Sequence, residues 1–386
     1  MALPLPDRGI VFSPVGCGDS ITVVIDEDTV LQIDLHHVED AESDDDPRLA
    51  IVDELIASLP ERDGKPYLAA FGVTHLDSDH ICGFARLLDE VTIGDLWFTP
   101  RVLWDQDQDE LSDDAKAFRD EAERRINKVK ADGQVGSGDR IRIIGYHDSL
   151  KEHSDIYKGL PEGAVTVPGS EFTSIDGEDF GGTFRAFVHA PFKEDGDKDR
   201  NDTSFGLQIT LTDGEQNLKA IVLGDLAYPT VNRIFERSDP DDLEFDVFLA
   251  PHHCSKSVMY FQCDGDDEPK LKQGVLDKLE QSARDGAYIV ASSGPIPAAN
   301  NVGDNPPHAK AAVRYRELID DGHFLCTGEH PTEDAPEPIV FEVTDTGVDL
   351  RAASIAAAGS SGVAKAVREA RGSTRPPQRP VGFGRR

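Results

Sequence analysis

The stretch Thr74-His75-Leu76-Asp77-Ser78-Asp79-His80 carries four side chains that can bind a metal ion. It follows the apolar residues 67–73, a pattern that predicts a short buried β-strand. Because alternate residues leave a strand on the same side, we expect His75, Asp77 and Asp79 to project together. We expect His80 to begin the next helix. Imidazoles and carboxylates at this density are unfavourable in a protein interior unless cations neutralise them, so the stretch predicts a metal site.

Two later apolar segments end in the same residue types. Asp225 follows residues 218–223, and the pair His252 and His253 follows residues 245–249. An Asp at the end of a strand or a His-His pair is weak evidence when taken alone. Three strands that all end in His or Asp predict ligands that converge at one edge of a sheet.

The pattern around these strands alternates between β-strands and helices, which predicts an α/β fold with helices covering sheets. The first 35 residues are rich in β-branched side chains and predict three strands. A highly charged segment, about residues 103–135, has few apolar positions. We expect it to form a helical insertion that faces solvent, where it could act as a lid.

The composition predicts a soluble globular protein. The chain has 386 residues, 38% of them hydrophobic, and a net charge of −34. It contains no apolar run of about 18 residues, so we expect no membrane-spanning helix and no membrane partner. The start, MALPLPDRGI, lacks the features of a signal peptide, and five cysteines at irregular spacing do not suggest a disulfide framework. We therefore expect a cytoplasmic protein.

The last part of the chain has a different character. We divide the chain into one folded domain over residues 1–345 and a terminal segment over residues 346–386. Residues 365–386 carry seven basic residues and one acidic residue, which leaves the rest of the chain at −40. We expect this segment to be disordered. It could offset part of the repulsion that the acidic domain exerts on a polyanion, and the alternative is a solvated extension with no role in binding.

The motifs and their order resemble the metallo-β-lactamase fold hydrolases, which carry HxHxDH, then an Asp, then a late His. Here Asp77 replaces the second His, and this variant resembles the nuclease-like domain of the ComEC family of DNA-internalisation competence proteins. Further matches are Val15-Gly16-Cys17-Gly18-Asp19-Ser20, Asn201-Asp202-Thr203-Ser204, His252-His253-Cys254-Ser255-Lys256 and Asn305-Pro306-Pro307-His308. The resemblance covers residues 9–345 and implies an αββα sandwich of two mixed sheets with helices on the outer faces.

The resemblance also implies two divalent metal ions, Mn²⁺ or Zn²⁺, with Mg²⁺ as a further candidate. Asp77 in place of an imidazole makes the ligand set richer in oxygen, which shifts the preference from Zn²⁺ towards Mn²⁺ or Mg²⁺, although the general order of affinities still favours Zn²⁺ where it is available. The expected metal ligands are His75, Asp77, Asp79, His80, Asp202, Asp225 and His252. His253 remains an alternative to His252, and His189 remains an alternative to the Asn201 and Asp202 pair.

The resemblance implies further roles near the metals. Asp79, His308 and Lys256 are the expected catalytic residues, with His308 placed to donate to a phosphate oxygen or to protonate the leaving group. The expected substrate-binding residues are Asn201, Ser204, Ser255 and His308. Asp34 is expected to orient the loop of His75 and Asp77 through hydrogen bonds.

These expectations favour a metal-dependent phosphodiesterase, specifically a nuclease that hydrolyses DNA through a metal-activated water. One alternative is a hydrolase of a small phosphodiester, ester or thioester on the same fold, since fold does not determine substrate. Another is a non-catalytic interaction or regulatory protein in which the metal site is structural. Protein partners are left open.

Overall fold

The computed structural model describes residues 2–43, 45–104, 111–147, 150, 155–195 and 200–353. Most of the strands belong to two large sheets. The first sheet consists of β1 (Gly9–Phe12), β2 (Ile21–Asp26), β3 (Thr29–Ile33), β4 (Glu61–Arg62), β5 (Lys65–Gly72), β6 (Thr92–Phe98), β7 (Arg140–Ile144), β8 (Val165–Thr166), β22 (Ile339–Thr344) and β23 (Gly347–Leu350). The second consists of β9 (Glu171–Phe172), β12 (Phe184–Ala190), β13 (Gly206–Asp213), β14 (Gln216–Val222), β15 (Phe245–Leu249), β18 (Ala283–Ala291) and β19 (Phe324–Cys326).

Three short hairpins and a set of helices complete the described chain. The hairpins are β10 (Ser174–Ile175) with β11 (Glu178–Asp179), β16 (Tyr260–Phe261) with β17 (Lys270–Leu271), and β20 (Pro331–Thr332) with β21 (Ala335–Pro336). The helices are α1 (Ile51–Ile56), α2 (Ser78–Ile81), α3 (Phe84–Glu90), α4 (Asp113–Asp132), α5 (Tyr228–Arg237), α6 (Pro240–Leu243), α7 (Gln273–Ser282) and α8 (Ala309–Arg316). No helix among the described residues is both long enough and apolar enough to cross a membrane.

Both large sheets are mixed, and each contains a parallel block. In the first sheet, β3, β5, β6, β7 and β8 pair in parallel, while β1, β2 and β22 pair antiparallel. In the second, β14, β15, β18 and β19 pair in parallel, while β12, β13 and β14 pair antiparallel. The carboxyl ends of neighbouring parallel strands lie at one sheet edge, so the loops after β3 and β5, and those after β14, β15 and β18, are brought together.

Three apolar layers hold the domain together, and they define a helix–sheet–sheet–helix sandwich. The middle layer joins the two sheets: alternate residues of β2, Ile21, Val23 and Ile25, pack in the same cluster as Leu207 and Ile209 of β13. The outer layer of the first sheet contains residues of α1, α3 and α4, and that of the second contains residues of α5, α7 and α8. The predicted αββα sandwich of two mixed sheets is confirmed.

The charged segment predicted to be a solvent-facing insertion packs against the first sheet instead. Within it, α4 buries Phe118, Ala122 and Ile126 in the outer apolar layer. The guanidinium of Arg125, only 1% exposed, donates to the carbonyls of Ile93 and Gly94 and forms an ion pair with Glu121. One apolar stripe on an otherwise charged helix is enough to place it on a sheet. The expected solvent-facing lid is therefore wrong for α4, while residues 105–110 of that segment lie outside the described residues.

The compact unit that contains the sandwich runs to Arg351, beyond the expected boundary at residue 345, because β23 pairs with β22. Residues 352–386 form a second unit, of which the structure describes 352 and 353. The basic segment over residues 365–386 therefore lies outside the described residues.

Candidate metal centre

The candidate metal centre lies where loops from both sheets meet. Asp34 follows β3, and His75 to His80 follow β5 in the first sheet. Asp225 follows β14, and the turn Pro251–Cys254 follows β15 in the second sheet. Asp19, in the loop between β1 and β2, joins them. The two sheets thus supply ligand side chains from opposite sides of the inter-sheet core.

Asp34 fixes the loop that carries the first two histidines. Its carboxylate accepts hydrogen bonds from the Thr74 amide (2.7 Å), the Thr74 hydroxyl (2.8 Å) and His80 Nδ1 (2.7 Å). Asp34 itself has a positive φ of 54°, in the left-handed region. The predicted orienting role of Asp34 is therefore what the structure shows.

Three buried imidazoles are held by their Nδ1 atoms. His80 Nδ1 donates to Asp34, and His253 Nδ1 donates to the carbonyl of Ser292 at 3.1 Å. The Thr74 hydroxyl gives its hydrogen to Asp34, so it accepts from His75 Nδ1 at 3.1 Å. A neutral imidazole that donates from Nδ1 has its lone pair on Nε2. Each of the three rings therefore presents Nε2 as a donor atom for a metal.

These Nε2 atoms face the carboxylate of Asp225. Asp225 Oδ1 lies 3.1 Å from His80 Nε2 and 3.5 Å from His253 Nε2. Asp225 Oδ2 lies 3.9 Å from His75 Nε2 and 3.5 Å from His252 Nε2. The two oxygens of one carboxylate thus face two different pairs of histidines, an arrangement suited to a bridging ligand.

The fit to a metal ion can be judged from atoms that lack partners. His75 Nε2, His80 Nε2, His253 Nε2 and Asp225 Oδ1 are all buried and make no hydrogen bond of acceptable geometry. Lone pairs of imidazoles and of a carboxylate that face one another repel unless a proton or a cation lies between them. Imidazole and carboxylate together are ligands for Zn²⁺ and Mn²⁺. The residues present therefore fit divalent cations.

The electrostatics of the centre also favour a cation. Burial opposes protonation of His80 and His253, but Asp225 and the neighbouring aspartates outweigh it and raise the pKa of both rings. Burial and the nearby His80 lower the pKa of His75 to about 3. His80 and His253 lower the pKa of Asp225 well below its ordinary value, against the effect of burial. A cation held by the Nε2 atoms of His80 and His253 would replace the protons that the aspartates favour on these rings.

Two groups of side chains have ligand atoms close enough together to hold an ion. The first is Asp19, His80, Asp225 and His253, and the second is His75, Asp79 and His80. The structure thus brings together His75, Asp79, His80 and Asp225 from the expected ligands. Asp19 belongs to a motif of the sequence but was not expected to be a ligand. His253, the alternative to His252, is buried and belongs to the first group, whereas His252 is 28% exposed.

Asp77 and the Asn201–Thr203 turn lie at the side of the centre. Asp77 Oδ2 is 3.7 Å from His75 Nε2, while its Oδ1 pairs with Arg200 Nε at 3.2 Å. Asn201 Nδ2 donates to Asp225 Oδ2 at 3.4 Å. Asp77, Asp202 and His252 fall outside both groups of close ligand atoms among the described residues. Arg200 thus places a cation beside the carboxylate that was expected to bind metal.

The expected substrate-binding serines are buried and bonded within the chain. Ser204 Oγ lies 3.3 Å from His75 Nδ1, so it helps to orient that ring. Ser255 Oγ accepts from the Ser257 amide at 3.3 Å and caps a short 3-10 turn, Lys256–Val258. Both side chains act on the protein itself in this structure.

His308 is also engaged at both ring nitrogens. Its Nδ1 accepts from the Lys256 amide at 3.3 Å, and its Nε2 donates to the carbonyl of Asp304 at 3.2 Å. Burial and the charge of Lys256 lower its pKa. His308 therefore has no proton available for a leaving group in this arrangement, and it positions the loop of Lys256.

Backbone conformation places the last two histidines. His252, His253 and Cys254 have φ values of 52°, 52° and 65°, so three consecutive non-glycine residues are left-handed. On the neighbouring loop, Gly224 has a φ of +53°, and a Cβ there would lie 3.0 Å from the Thr74 side chain. Glycine is thus required where the Asp225 loop meets the His75 loop.

His189 lies away from the centre, where its ring bonds to Ser238 Oγ at 2.8 Å and packs against Phe187. Burial lowers its pKa to about 4. Between pH 6.5 and 4 the unfolded chain binds a proton at this residue and the folded chain does not. This residue therefore lowers the free energy of unfolding as pH falls through that range. Below pH 4 both states bind the proton, so its contribution no longer changes.

Between pH 7 and pH 4 the free energy of unfolding of the His189→Asn variant should fall by about 3 kcal/mol less than that of the unaltered protein. Urea unfolding of both proteins at the two pH values measures this difference. An identical loss in the variant and the unaltered protein would show that His189 is not the group responsible.

Comparisons with known proteins add a likeness of fold. One neighbour, described as the first B3 metallo-β-lactamase with an active-site glutamic acid, is 14% identical with a TM-score of 0.33 over 72% of this chain and 88% of its own. BJP-1, a subclass B3 metallo-β-lactamase of Bradyrhizobium japonicum, is 14% identical with a TM-score of 0.30 over the same shares. GOB-18, a metallo-β-lactamase of Elizabethkingia meningoseptica, is 14% identical with a TM-score of 0.32 over 72% and 89%. No family model matches the chain, and neither does any curated protein.

Proposed function

We propose that this protein is a metal-dependent hydrolase, and that it is a phosphodiesterase that acts on DNA. The observation that carries the proposal is the arrangement around Asp225. Two pairs of histidines face the two oxygens of its carboxylate, and three of these rings are held at Nδ1 so that Nε2 is the free nitrogen. This supports two cations bridged by one carboxylate.

The residues would divide between the two cations by the oxygen of Asp225 that they face. His80 and His253 would hold one ion together with Asp19, as the first group of close ligand atoms. Asp79 belongs to the second group, with His75 and His80, and its Oδ2 also lies 3.3 Å from His253 Nε2, so it is within reach of both proposed ions. His75 would hold the other, with His252 and Asp77 close by. Divalent cations bound there would make a nucleophile from water at neutral pH and neutralise the charge of a phosphodiester.

Cationic side chains beside the centre favour a phosphate-containing substrate. Arg200, next to Asp77, lines a small cavity together with His75 and Arg101. Lys256 lies two residues after Cys254, which ends the turn that carries His252 and His253. In a chain with a net charge of −34, basic residues placed around one site offset local repulsion of an anion. Guanidinium and ammonium groups are the usual partners of phosphate oxygens.

The test is hydrolysis by protein reconstituted separately with Mn²⁺, Zn²⁺ and Mg²⁺. The substrates are single-stranded DNA, duplex DNA, RNA, a cyclic dinucleotide, a nitrophenyl phosphodiester and a nitrophenyl ester. We expect metal-dependent cleavage of the phosphodiesters with DNA among the best substrates, and none without metal. Cleavage of the ester alone would contradict the phosphodiesterase assignment, and no cleavage of any substrate would contradict the hydrolase assignment.

A further inference from the structure

A groove of about 520 Å³ opens beside the candidate metal centre. Its walls come from the turn after β15, from the hairpin strand β16, and from the first turns of α8. The His308 amide donates to the carbonyl of Cys254 at 3.1 Å, and the Lys256 amide donates to His308 Nδ1. The groove is therefore attached directly to the turn that carries His252 and His253.

Two lysines that line this groove have no acidic partner. Among the residues that the structure describes, neither Lys256 nor Lys310 has a carboxylate oxygen within 4.0 Å. Other lysines of this acidic protein, such as Lys219 and Lys270, do form such pairs. Ammonium groups without an acidic partner, in a chain of net charge −34, make this groove locally favourable for an anion.

The same groove also exposes apolar side chains. Val302 is fully exposed and Val313 is 48% exposed, and they are two of the three large hydrophobic residues that are exposed in the described part of the chain. Tyr260 adds an aromatic ring to the same lining. A ligand that covers apolar and aromatic surface while it pairs with lysines has both a flat apolar part and a negative charge, as a nucleotide does.

The wall that carries these residues is fixed before any ligand binds. Asn300 Oδ1 accepts from the Ala309 amide at 2.7 Å, at the start of α8, and Asn300 Nδ2 donates to the carbonyl of Pro307 at 3.0 Å. These bonds tie the loop of Val302 to the helix that carries Lys310 and Val313. A preformed wall of this kind loses little conformational entropy when it binds a ligand.

We propose that this groove binds the nucleotides of single-stranded DNA on one side of the bond to be cleaved. Phosphates pair with Lys256 and Lys310, and a base packs against Tyr260, Val302 and Val313. The inference rests on the proposed phosphodiesterase function, since it assigns the path of the strand to one side of that centre.

The test measures binding of a fluorescent phosphorothioate 12-mer, a single strand that resists hydrolysis, to the metal-loaded protein by anisotropy. Lys310→Glu should weaken binding about tenfold and reduce the steepness of the salt dependence by about 0.7 in log–log slope for each phosphate that is no longer neutralised. Tyr260→Ala should weaken binding about fivefold or more because a base can no longer stack on the ring. Lys65→Glu is the matched control, because Lys65 is an exposed lysine at the far end of β5 from His75.

Equal binding by Lys310→Glu, Tyr260→Ala and the unaltered protein would overturn the proposal, as would equal weakening by Lys65→Glu. Absence of binding by the unaltered protein would overturn it too. Thermal unfolding confirms that the variants are folded. Hydrolysis of the nitrophenyl phosphodiester separates the two proposals, because Lys310→Glu should leave it unchanged. If the unaltered protein fails to cleave that diester but Lys310→Glu still weakens DNA binding, the result supports DNA binding in the groove and contradicts the phosphodiesterase function.

Discussion

Asp225→Ala is expected to abolish tight binding of divalent cations. Hydrolytic activity should fall with it, by roughly a thousandfold or more, because a bridging ligand is lost. The reason is that both oxygens of this carboxylate face histidines, so its removal deprives both proposed ions of a ligand. Without Asp225, the remaining imidazoles also lose the charge that favours a cation between them. Metal content by mass spectrometry and turnover of a nitrophenyl phosphodiester measure the two effects.

The fold should survive this substitution, because Asp225 lies in a loop after β14 and contributes little to the apolar layers. Asp213→Ala is the matched control, since Asp213 ends β13 at the turn before β14, at the opposite end of that hairpin from Asp225. That variant should retain both metal and activity. An Asp225→Ala protein that binds metal and turns over like the unaltered enzyme would refute the assignment of the centre.

Asp34→Asn is expected to weaken metal affinity by about 10- to 100-fold, although Asp34 belongs to neither group of close ligand atoms among the described residues. Its carboxylate holds His80 in the tautomer that presents Nε2, and it also holds the Thr74 hydroxyl that orients His75. An amide at this position offers only one oxygen. Either the Thr74 amide, which Oδ1 accepts, or the two groups that Oδ2 accepts, the Thr74 hydroxyl and His80 Nδ1, must therefore lose their acceptor. Competition with a chromogenic chelator measures the affinity for Zn²⁺ and Mn²⁺.

The choice of Asn isolates the loss of charge from a change in the backbone. Asp34 has a φ of 54°, and Asn is among the residues that best tolerate the left-handed region. The variant should therefore remain folded, which thermal unfolding in the presence of chelator can check. Asp26→Asn, at the end of β2 and partly exposed, should leave the metal affinity unchanged. Unchanged affinity in Asp34→Asn would show that the Asp34–His80 bond does not matter for metal binding.

Local sequence patterns predicted the sandwich because most of its strands correspond to short apolar segments that end in turn residues. The expected strand at residues 245–249 matches β15, and the apolar segment 218–223 overlaps most of β14. The sequence predicted that α4 faces solvent because most of its residues are charged. The three apolar residues that it buries, Phe118, Ala122 and Ile126, form too narrow a stripe to stand out in the composition.

The candidate ligands at the strand ends were also predictable, since three buried strands that all end in His or Asp are stronger evidence together than any one of them alone. The choice between His252 and His253 was not, because both φ values are left-handed and alternation along a strand no longer applies to them. Asp19 could not be recognised as a candidate ligand from the sequence for a related reason. It follows a glycine loop rather than a parallel strand, and only the packing of Asp19 on the Asp79 loop, through a 3.0 Å bond between their backbones, brings it to His80 and His253.

The pairing of β1 with β22 has a consequence for how the protein is made. Gly9 pairs with Glu342, so the first sheet cannot be completed until more than 330 residues of later chain have been synthesised. At roughly 5–20 residues per second, a ribosome takes on the order of tens of seconds to reach that point. Throughout this interval β1 has an open edge, and exposed edges of strands promote association between nascent chains. The strong negative charge of the chain makes nascent chains repel one another. This repulsion reduces their association during the time before β1 can pair with the distant strand β22.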